Sequence, residues 1–260
     1  MKFLKTLLFN LAGQKNYLSI ISSLFFLLYR SGLLRLFRKF DTHYVAPILV
    51  KRGFTVIDIG ANLGYFSVIF ASATGRKGKV LAVEPVEDFR RILARNIRKF
   101  PWVEIVPYAL GASNGTIRMT IPGTDKTRHG LTRVAGENEN RNSSYECSAD
   151  MKKPSELFGD TGTVNYIKCD VEGYEAKLFP ELMFLVESSR PIIQAEIAPE
   201  NIEKIRNLII PLGYRSFMAV KGMLMTLKEN ELPDGDIVFI PDEKIEDYLK
   251  LIIENKYCHP

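Results

Sequence analysis

From Phe54 to Ile240 the chain alternates short β-branched runs with amphipathic stretches, and this alternation restricts the fold more than any other feature. Thr55–Ile59 (TVIDI) ends in a glycine turn, after which Tyr65–Ala73 carries a helical pattern. Lys79–Val83 is the next strand, and Glu87–Lys99 then places Phe89, Ile92, Leu93 and Ile97 on one helical face. Val103–Pro107 reads as a third strand. Ile117–Ile121 and Ser144–Ser148 read as short extra strands flanking a polar stretch, Thr124–Arg141. Val164–Cys169 and Ile192–Ile197 are strands either side of a helix at Tyr174–Phe184. Ile202–Pro211 is helical, and Arg215–Val220 and Asp236–Ile240 close the series. Repeated strand–helix units predict a parallel α/β sheet with helices on both faces. The last two strands are joined by a helix-free, turn-rich link, Lys221–Gly235, which lets them pair antiparallel.

The 260 residues suffice for one such domain (41–260) with an N-terminal helical extension (1–40). Charge separates these two parts. The net charge of +5 is concentrated before Gly53, where Lys2, Lys5, Lys15, Arg30, Arg35, Arg38, Lys39, Lys51 and Arg52 face only Asp41. A basic balance confined to one end suggests an acidic partner for that end alone. Within it, the apolar run Tyr17–Tyr29 falls short of the ~20 residues a bilayer span needs. Arg30, Arg35, Arg38 and Lys39 then interleave with Leu33, Leu34, Leu36, Phe37 and Phe40. Two readings stand: an interfacial helix on an anionic membrane surface, or a helix packed on the domain or on a second subunit of a homo-oligomer. Lys2 and Lys5 resemble an n-region, but no small-x-small cleavage site follows before Gln14-Lys15-Asn16, which argues against a signal peptide; the expectation is a cytoplasmic protein, peripheral to the inner membrane face on the first reading. Cys147, Cys169 and Cys258 are scattered, which fits a reducing compartment and gives neither a disulfide framework nor a zinc site.

In open α/β sheets ligands bind beyond the carboxyl ends of the strands, so the residues just after each strand carry the chemistry. The first strand ends in Asp58-Ile59-Gly60-Ala61-Asn62-Leu63-Gly64, whose glycines let backbone approach a ligand closely. This is neither GxGxxG nor a phosphate-binding GK[ST] loop, so the implied cofactor lacks a pyrophosphate. Glu84 ends the second strand near the ~20-residue spacing of the acid that accepts ribose hydroxyls. Lys168, Asp170 and Glu172 leave one side of a later strand, with Cys169 and Val171 opposite. Glu196 ends the next strand and reaches the same cleft if the two are neighbours. Asp170, Glu172 and Glu196 together suit a general base, a cradle for a cation, or a Mg²⁺ site built of oxygen ligands. Pairing of Lys168 with these acids is the purely structural alternative. His129, in the loop Lys126–Gly130, is a further candidate base. His43 opens the helix ahead of the first strand, with Asp41 as its N-cap, and His259 lies in the tail.

At these motifs the chain resembles the FkbM family of methyltransferases. The matching stretches are VIDIGANLGYFS (Val56–Ser67), KVLAVEP (Lys79–Pro85), ARNIRKF (Ala94–Phe100), PYALGASNGTIRM (Pro107–Met119), NYIKCDVEGYEAKLF (Asn165–Phe179) and RPIIQAEI (Arg190–Ile197). The pairing of DIGAN with K-x-DVEG-x-E is far more specific than either motif alone. The chain departs from the family at Asp150–Leu157, where members often carry a Thr-Leu-Asp-like signature. The resemblance implies a Rossmann-like fold, a mostly parallel seven-stranded sheet with an antiparallel last strand, and S-adenosylmethionine as cofactor. It implies O-methylation of a hydroxyl on a sugar, polyketide or similar metabolite. It also implies that Asp58, Gly60, Asn62, Gly64 and Glu84 line the cofactor, with Ala109 near the adenine and Asp170 near the methionine end. The greasy, basic N-terminal segment adds a lipid-linked saccharide to the small-molecule acceptors. Two rival functions remain, a non-catalytic cofactor-binding scaffold and a nucleic-acid methyltransferase. Against the second, the basic residues accompany apolar ones, and no NPPY-type base-flipping motif follows the fourth main strand.

Overall fold

The computed structural model describes residues 2–122, 133–134, 143–228 and 235–253. Helix α1 (Lys2–Arg30) and two 3-10 turns (Leu33–Leu36, Arg38–Phe40) lead into α2 (Asp41–Leu49). There follow β1 (Thr55–Ile59), α3 (Tyr65–Thr74), β2 (Lys79–Val83), α4 (Glu87–Ile97) and β3 (Val103–Val106). A β-rich excursion comes next: β4 (Ala109–Leu110), β5 (Gly115–Pro122), β6 (Arg133–Val134) and β7 (Ser143–Lys152). Then come α5 (Pro154–Phe158), β8 (Tyr166–Cys169), α6 (Glu175–Ser189), β9 (Ile192–Ala195) and α7 (Ile202–Ile209). The chain closes with β10 (Tyr214–Val220), β11 (Met223–Thr226), β12 (Ile237–Pro241) and β13 (Ile252–Ile253).

The main sheet has the order β13-β11-β10-β12-β9-β8-β1-β2-β3. Its β3-β2-β1-β8-β9-β12-β10 portion is the expected Rossmann-like arrangement. β1 pairs in parallel with β2 on one side and β8 on the other, and β12 runs antiparallel to β9 and β10. The sheet is wider than the seven strands expected from sequence. Lys221 and Gly222, both with positive φ (50° and 82°), form a two-residue hairpin turn. That turn folds Met223–Thr226 back onto β10, and β13 extends the edge. Turn signals hid the strand inside the link read as irregular.

Period-two alternation divides the core between the two faces. Ile57, Ile59, Leu81 and Val83 pack against α6 and α7, whereas Val56, Val80 and Tyr166 pack against α2 and α3. The extra strands are longer than expected and pair as a second sheet, β4-β7-β5-β6. Most of Thr124–Arg141 lies outside the described residues.

Helix α1 bends at Gly13 (φ 72°) and lies on the domain through its inner face. Tyr17 and Leu18 are buried with Leu63, Phe89 and Met119. Asn96 donates to Ser22 Oγ (2.6 Å), Gln14 donates to Asp88 (3.3 Å), and Arg95 hydrogen-bonds the Ser19 hydroxyl and carbonyl. The outer face keeps Ile20, Leu24 and Leu27 exposed. No described helix is long and apolar enough to cross a membrane. Asp41 is not the N-cap expected of it. It sits inside the first turn of α2, buried, and accepts a hydrogen bond from the Lys221 backbone N–H at 2.8 Å. A carboxylate satisfied by a distant strand turn has no need to fold back on its own helix end. Cys169 is fully buried, as its apolar run predicts.

Candidate functional site

The chain reverses direction across β1: β2 and β3 lie on one side, β8 and β9 on the other. Such a switch point leaves a crevice at the carboxyl ends of the strands, and the expected motifs meet there. Gly60 (φ 77°) follows β1 directly, and a Cβ on it would stand 1.8 Å from the Asp170 carbonyl oxygen, so the two loops touch only because this residue is glycine. Asn62 adopts a left-handed conformation (φ 51°), and its N–H donates to Glu84 Oε2 at 2.8 Å. The Val86 N–H donates to Glu84 Oε1, also at 2.8 Å. The two loops thereby clamp the Glu84 carboxylate, which burial pushes up to about 7 against the lowering effect of those two N–H donors.

Two hollows open from this junction. A narrow cleft of about 70 Å³ is lined by Gly60, Asn62, Glu84, Ala109, Asp170 and Glu172. The second sheet adds Met119 and Val134 to its wall. A larger chamber of about 490 Å³ shares Gly60, Asn62, Asp170 and Glu172 with the cleft, and Lys168, Glu196 and Asp236 complete its floor. Asp58 and Gly64, expected to line the cofactor, border neither hollow. Asp58 is fully buried behind the loop and accepts a hydrogen bond from the Ser67 hydroxyl (2.6 Å). A Cβ on Gly64 would lie 2.6 Å from a Leu93 methyl, so this glycine serves the contact between α3 and α4. His129 and His259 lie outside the described residues.

The floor of the chamber is an unbalanced electrostatic cluster. Lys168 is buried and binds Asp170 Oδ2 at 2.9 Å. Burial works against its charge, but Asp170, Asp58 and Asp236 outweigh burial and hold its pKa above the ordinary lysine value. One cation does not satisfy the remaining acids. Burial, then Asp170 and Glu196, pushes the Glu172 carboxyl up to about 8. Burial, then Asp170 and Asp236, pushes Glu196 up to about 7, although its side chain is the more open to solvent. Lys168 thus pairs with Asp170 and leaves Glu172 and Glu196 in need of a positive or hydrogen-bond-donating partner. Of the three uses open to these acids, the Mg²⁺ site finds no ready-made geometry: among the described residues no three His, Cys, Asp or Glu side chains converge as a metal-holding set.

Two chamber residues escaped the sequence reading. Asp236 precedes β12, and because that strand is antiparallel, its beginning rather than its end reaches the ligand edge of the sheet. A buried relay holds it: the Tyr166 hydroxyl donates to Gln194 Oε1 (2.7 Å), and Gln194 Nε2 donates to Asp236. The antiparallel closing strand already expected from the sequence was the signal that could have found Asp236. His43 lines the chamber with Nδ1 buried and unpartnered, its ring stacked on Phe66 at 4.2 Å. Burial, reinforced by Lys168, lowers its pKa to about 3, so it is neutral at physiological pH.

These donors and acceptors suit S-adenosylmethionine. A carboxylate has about four lone-pair sites, and Glu84 uses two on backbone N–H groups, which leaves others for ribose hydroxyls. The Asn62 Oδ1 is buried without a partner and can accept from an ammonium. The acids around Asp170 complement a sulfonium. The cleft alone is smaller than the ~300–1,000 Å³ of ordinary small-molecule sites, but it adjoins the larger chamber at Gly60, Asn62, Asp170 and Glu172.

Solved structures of similar shape include a precorrin-6y C5,15-methyltransferase from Geobacter metallireducens (11% identity, 76% of this chain and 84% of that one, TM-score 0.43). A SAM-dependent O-methyltransferase from Thermotoga maritima is similar at 16% identity, over 76% of this chain and 63% of that one, with a TM-score of 0.41. Aeropyrum pernix fibrillarin with bound S-adenosyl-L-methionine matches at 11% identity, 73% and 66% coverage, and a TM-score of 0.42. A sequence search among curated proteins found no match. The family profile of the methyltransferase FkbM domain, by contrast, matches residues 58–228, the span that holds the glycine loop, Glu84 and the acidic floor except Asp236. The chain therefore belongs to the FkbM family of S-adenosylmethionine-dependent methyltransferases.

Proposed function

We propose that the protein transfers a methyl group to a hydroxyl oxygen of a saccharide, a lipid-linked saccharide or a related hydroxylated metabolite. The observation that carries this reading is the shared wall: Asp170 and Glu172 border both the cofactor cleft and the larger chamber. A methyl donor on one side and an acceptor on the other would meet at these carboxylates.

The cofactor supplies a methyl group made electrophilic by its sulfonium, so the protein's task is alignment and proton removal. Glu84, held by the Asn62 and Val86 N–H groups, would take the ribose, and Asn62 Oδ1 with Asp170, fixed by Lys168, would face the cationic methionine end. An alcohol is a weak nucleophile until its proton is accepted. Glu172 and Glu196, with pKa values pushed up to about 8 and 7, are poised near neutral pH to take that proton. A bound cation would favour their ionised forms and so prepare them as bases.

On the outer side of α1, Ile20, Leu24 and Leu27 are exposed, and Leu27 shares a surface hollow with Arg30, Arg98 and Lys99, a composition suited to an anionic lipid surface. This supports a membrane-proximal acceptor. The deciding experiment is calorimetric titration with S-adenosylmethionine and S-adenosylhomocysteine, followed by a methyl-transfer screen against hydroxylated acceptors. Micromolar cofactor binding with transfer to a hydroxyl upholds the reading. Cofactor binding with transfer only to carbon, nitrogen or RNA overturns the O-methyl assignment.

A further inference from the structure

The larger chamber has two unlike halves. Its floor comes from strand ends inside the family match: Lys168, Asp170, Glu172 and Glu196, with Asp236 beyond the match. Its wall comes from the N-terminal segment, wholly outside the match: Ile21, Leu24, Phe25, Leu28, Leu34 and Phe40 make it largely apolar, and Lys39, Thr42 and His43 add polar groups near its end. At about 490 Å³ it is the size of an ordinary small-molecule site. His43 contributes one neutral, unpartnered nitrogen. Leu24, 50% exposed, both lines the chamber and reaches the surface, so the apolar wall runs from the acidic floor to the outside.

We propose that this chamber is the acceptor site, that the N-terminal segment confers its selectivity, and that its occupant is an amphiphile with an uncharged, hydroxyl-bearing head and an apolar body. The proposal rests on the methyl-transfer reading for its role but not for its binding chemistry. Hydroxyls donate to the floor carboxylates and to the unpartnered His43 nitrogen, which relieves buried acceptors without adding charge. An anionic head meets four acids, Asp170, Glu172, Glu196 and Asp236, that Lys168 and Lys39 together do not balance, in a site of reduced dielectric. A cationic head competes with the cofactor's own positive charge at the shared Asp170 and Glu172. The hydrocarbon follows Phe25, Leu28 and Leu24 outward, where its burial supplies affinity that a free sugar lacks.

The test is calorimetric titration of the full chain with n-octyl glucoside below its micelle concentration, beside glucose, octanoate and S-adenosylhomocysteine. Wild type is compared with Leu28→Trp, which fills the chamber from a partly buried position. The expected result is one octyl glucoside site, at least about tenfold tighter than for glucose or octanoate. In Leu28→Trp that affinity falls at least about tenfold, with S-adenosylhomocysteine unchanged. If Leu28→Trp loses both ligands, Leu24→Trp at the half-exposed rim replaces it, with the same split expected. Octyl glucoside affinity untouched by a variant that still binds S-adenosylhomocysteine overturns the proposal, as does octanoate binding equally well. Octyl glucoside binding without any S-adenosylhomocysteine binding instead retains the chamber and overturns the methyl-transfer reading.

Discussion

The cofactor cleft and the chamber meet at Asp170 but are assembled in opposite ways. The cleft is made of strand-end loops whose residues are fixed by their immediate neighbours: Gly60 against the Asp170 carbonyl, and Glu84 clamped by Asn62 and Val86. The chamber brings together residues from Tyr17 to Asp236, and its wall is held by side chains reaching from α4 to α1. The first is narrow and the second roomy, and in both a largely apolar lining surrounds the shared acids Asp170 and Glu172. A cofactor site of this kind suits a ligand that never changes, whereas a wall carried by a separate segment can change its acceptor without disturbing the cofactor.

The sharpest way to break this contrast is Gly60→Ala. Its methyl would drive into the Asp170 carbonyl at a residue with φ 77°. A stability loss of about 3 kcal/mol and loss of binding to both hollows are expected, read by thermal unfolding and calorimetry. A variant that keeps wild-type stability would show that the two loops are not in contact. Glu84→Gln comes next. Its amide presents a donor where two backbone N–H groups need an acceptor, so S-adenosylhomocysteine affinity should fall by roughly 10–100-fold, while octyl glucoside affinity stays within about twofold. Parallel losses in both ligands would mean that the hollows are one site.

A third measurement exploits the unbalanced floor. In the folded protein Glu172 and Glu196 hold protons up to about 8 and 7, above an unfolded value near 4.5. The folded state binds more protons across that interval, so stability without cofactor should fall as pH rises from about 4.5 through about 8. Glu84, with its pKa near 7, contributes in the same direction. Glu172→Gln should flatten the upper part of the slope, and S-adenosylmethionine should flatten it in wild type. An unchanged slope in Glu172→Gln would remove this residue from the cluster. The smallest effect is expected from Asn96→Ala, which deletes hydrogen bonds to Ser22 Oγ and the Leu63 carbonyl, both near 2.7 Å. About 1 kcal/mol of stability should be lost, with acceptor KM rising a few-fold and S-adenosylhomocysteine affinity unchanged.

The sequence by itself determined the parts whose physics is local. A β-branched run followed by a glycine loop and an amphipathic helix can be read from adjacent residues, and repetition of that unit dictates a parallel sheet with ligand loops at one edge. Gly60, Glu84 and Asp170 were legible for that reason, Asn62 and Ala109 only through the family resemblance, and all five border one cleft. Their companions Asp58 and Gly64 share the same loop, but orientation sent one carboxylate inward to Ser67 and one glycine toward Leu93. Periodicity could not say which side of the loop each would face. The strand Met223–Thr226 was hidden because a two-residue turn looks like the start of a loop until its partner strand is known. Only the tertiary structure decided the chamber. It laid α1 across the strand ends, brought His43 over Phe66, and turned the start of an antiparallel strand toward the floor so that Asp236 joined it. Each of these depends on contacts between residues far apart in the chain, and such contacts follow from shape and packing rather than from the order of neighbouring side chains.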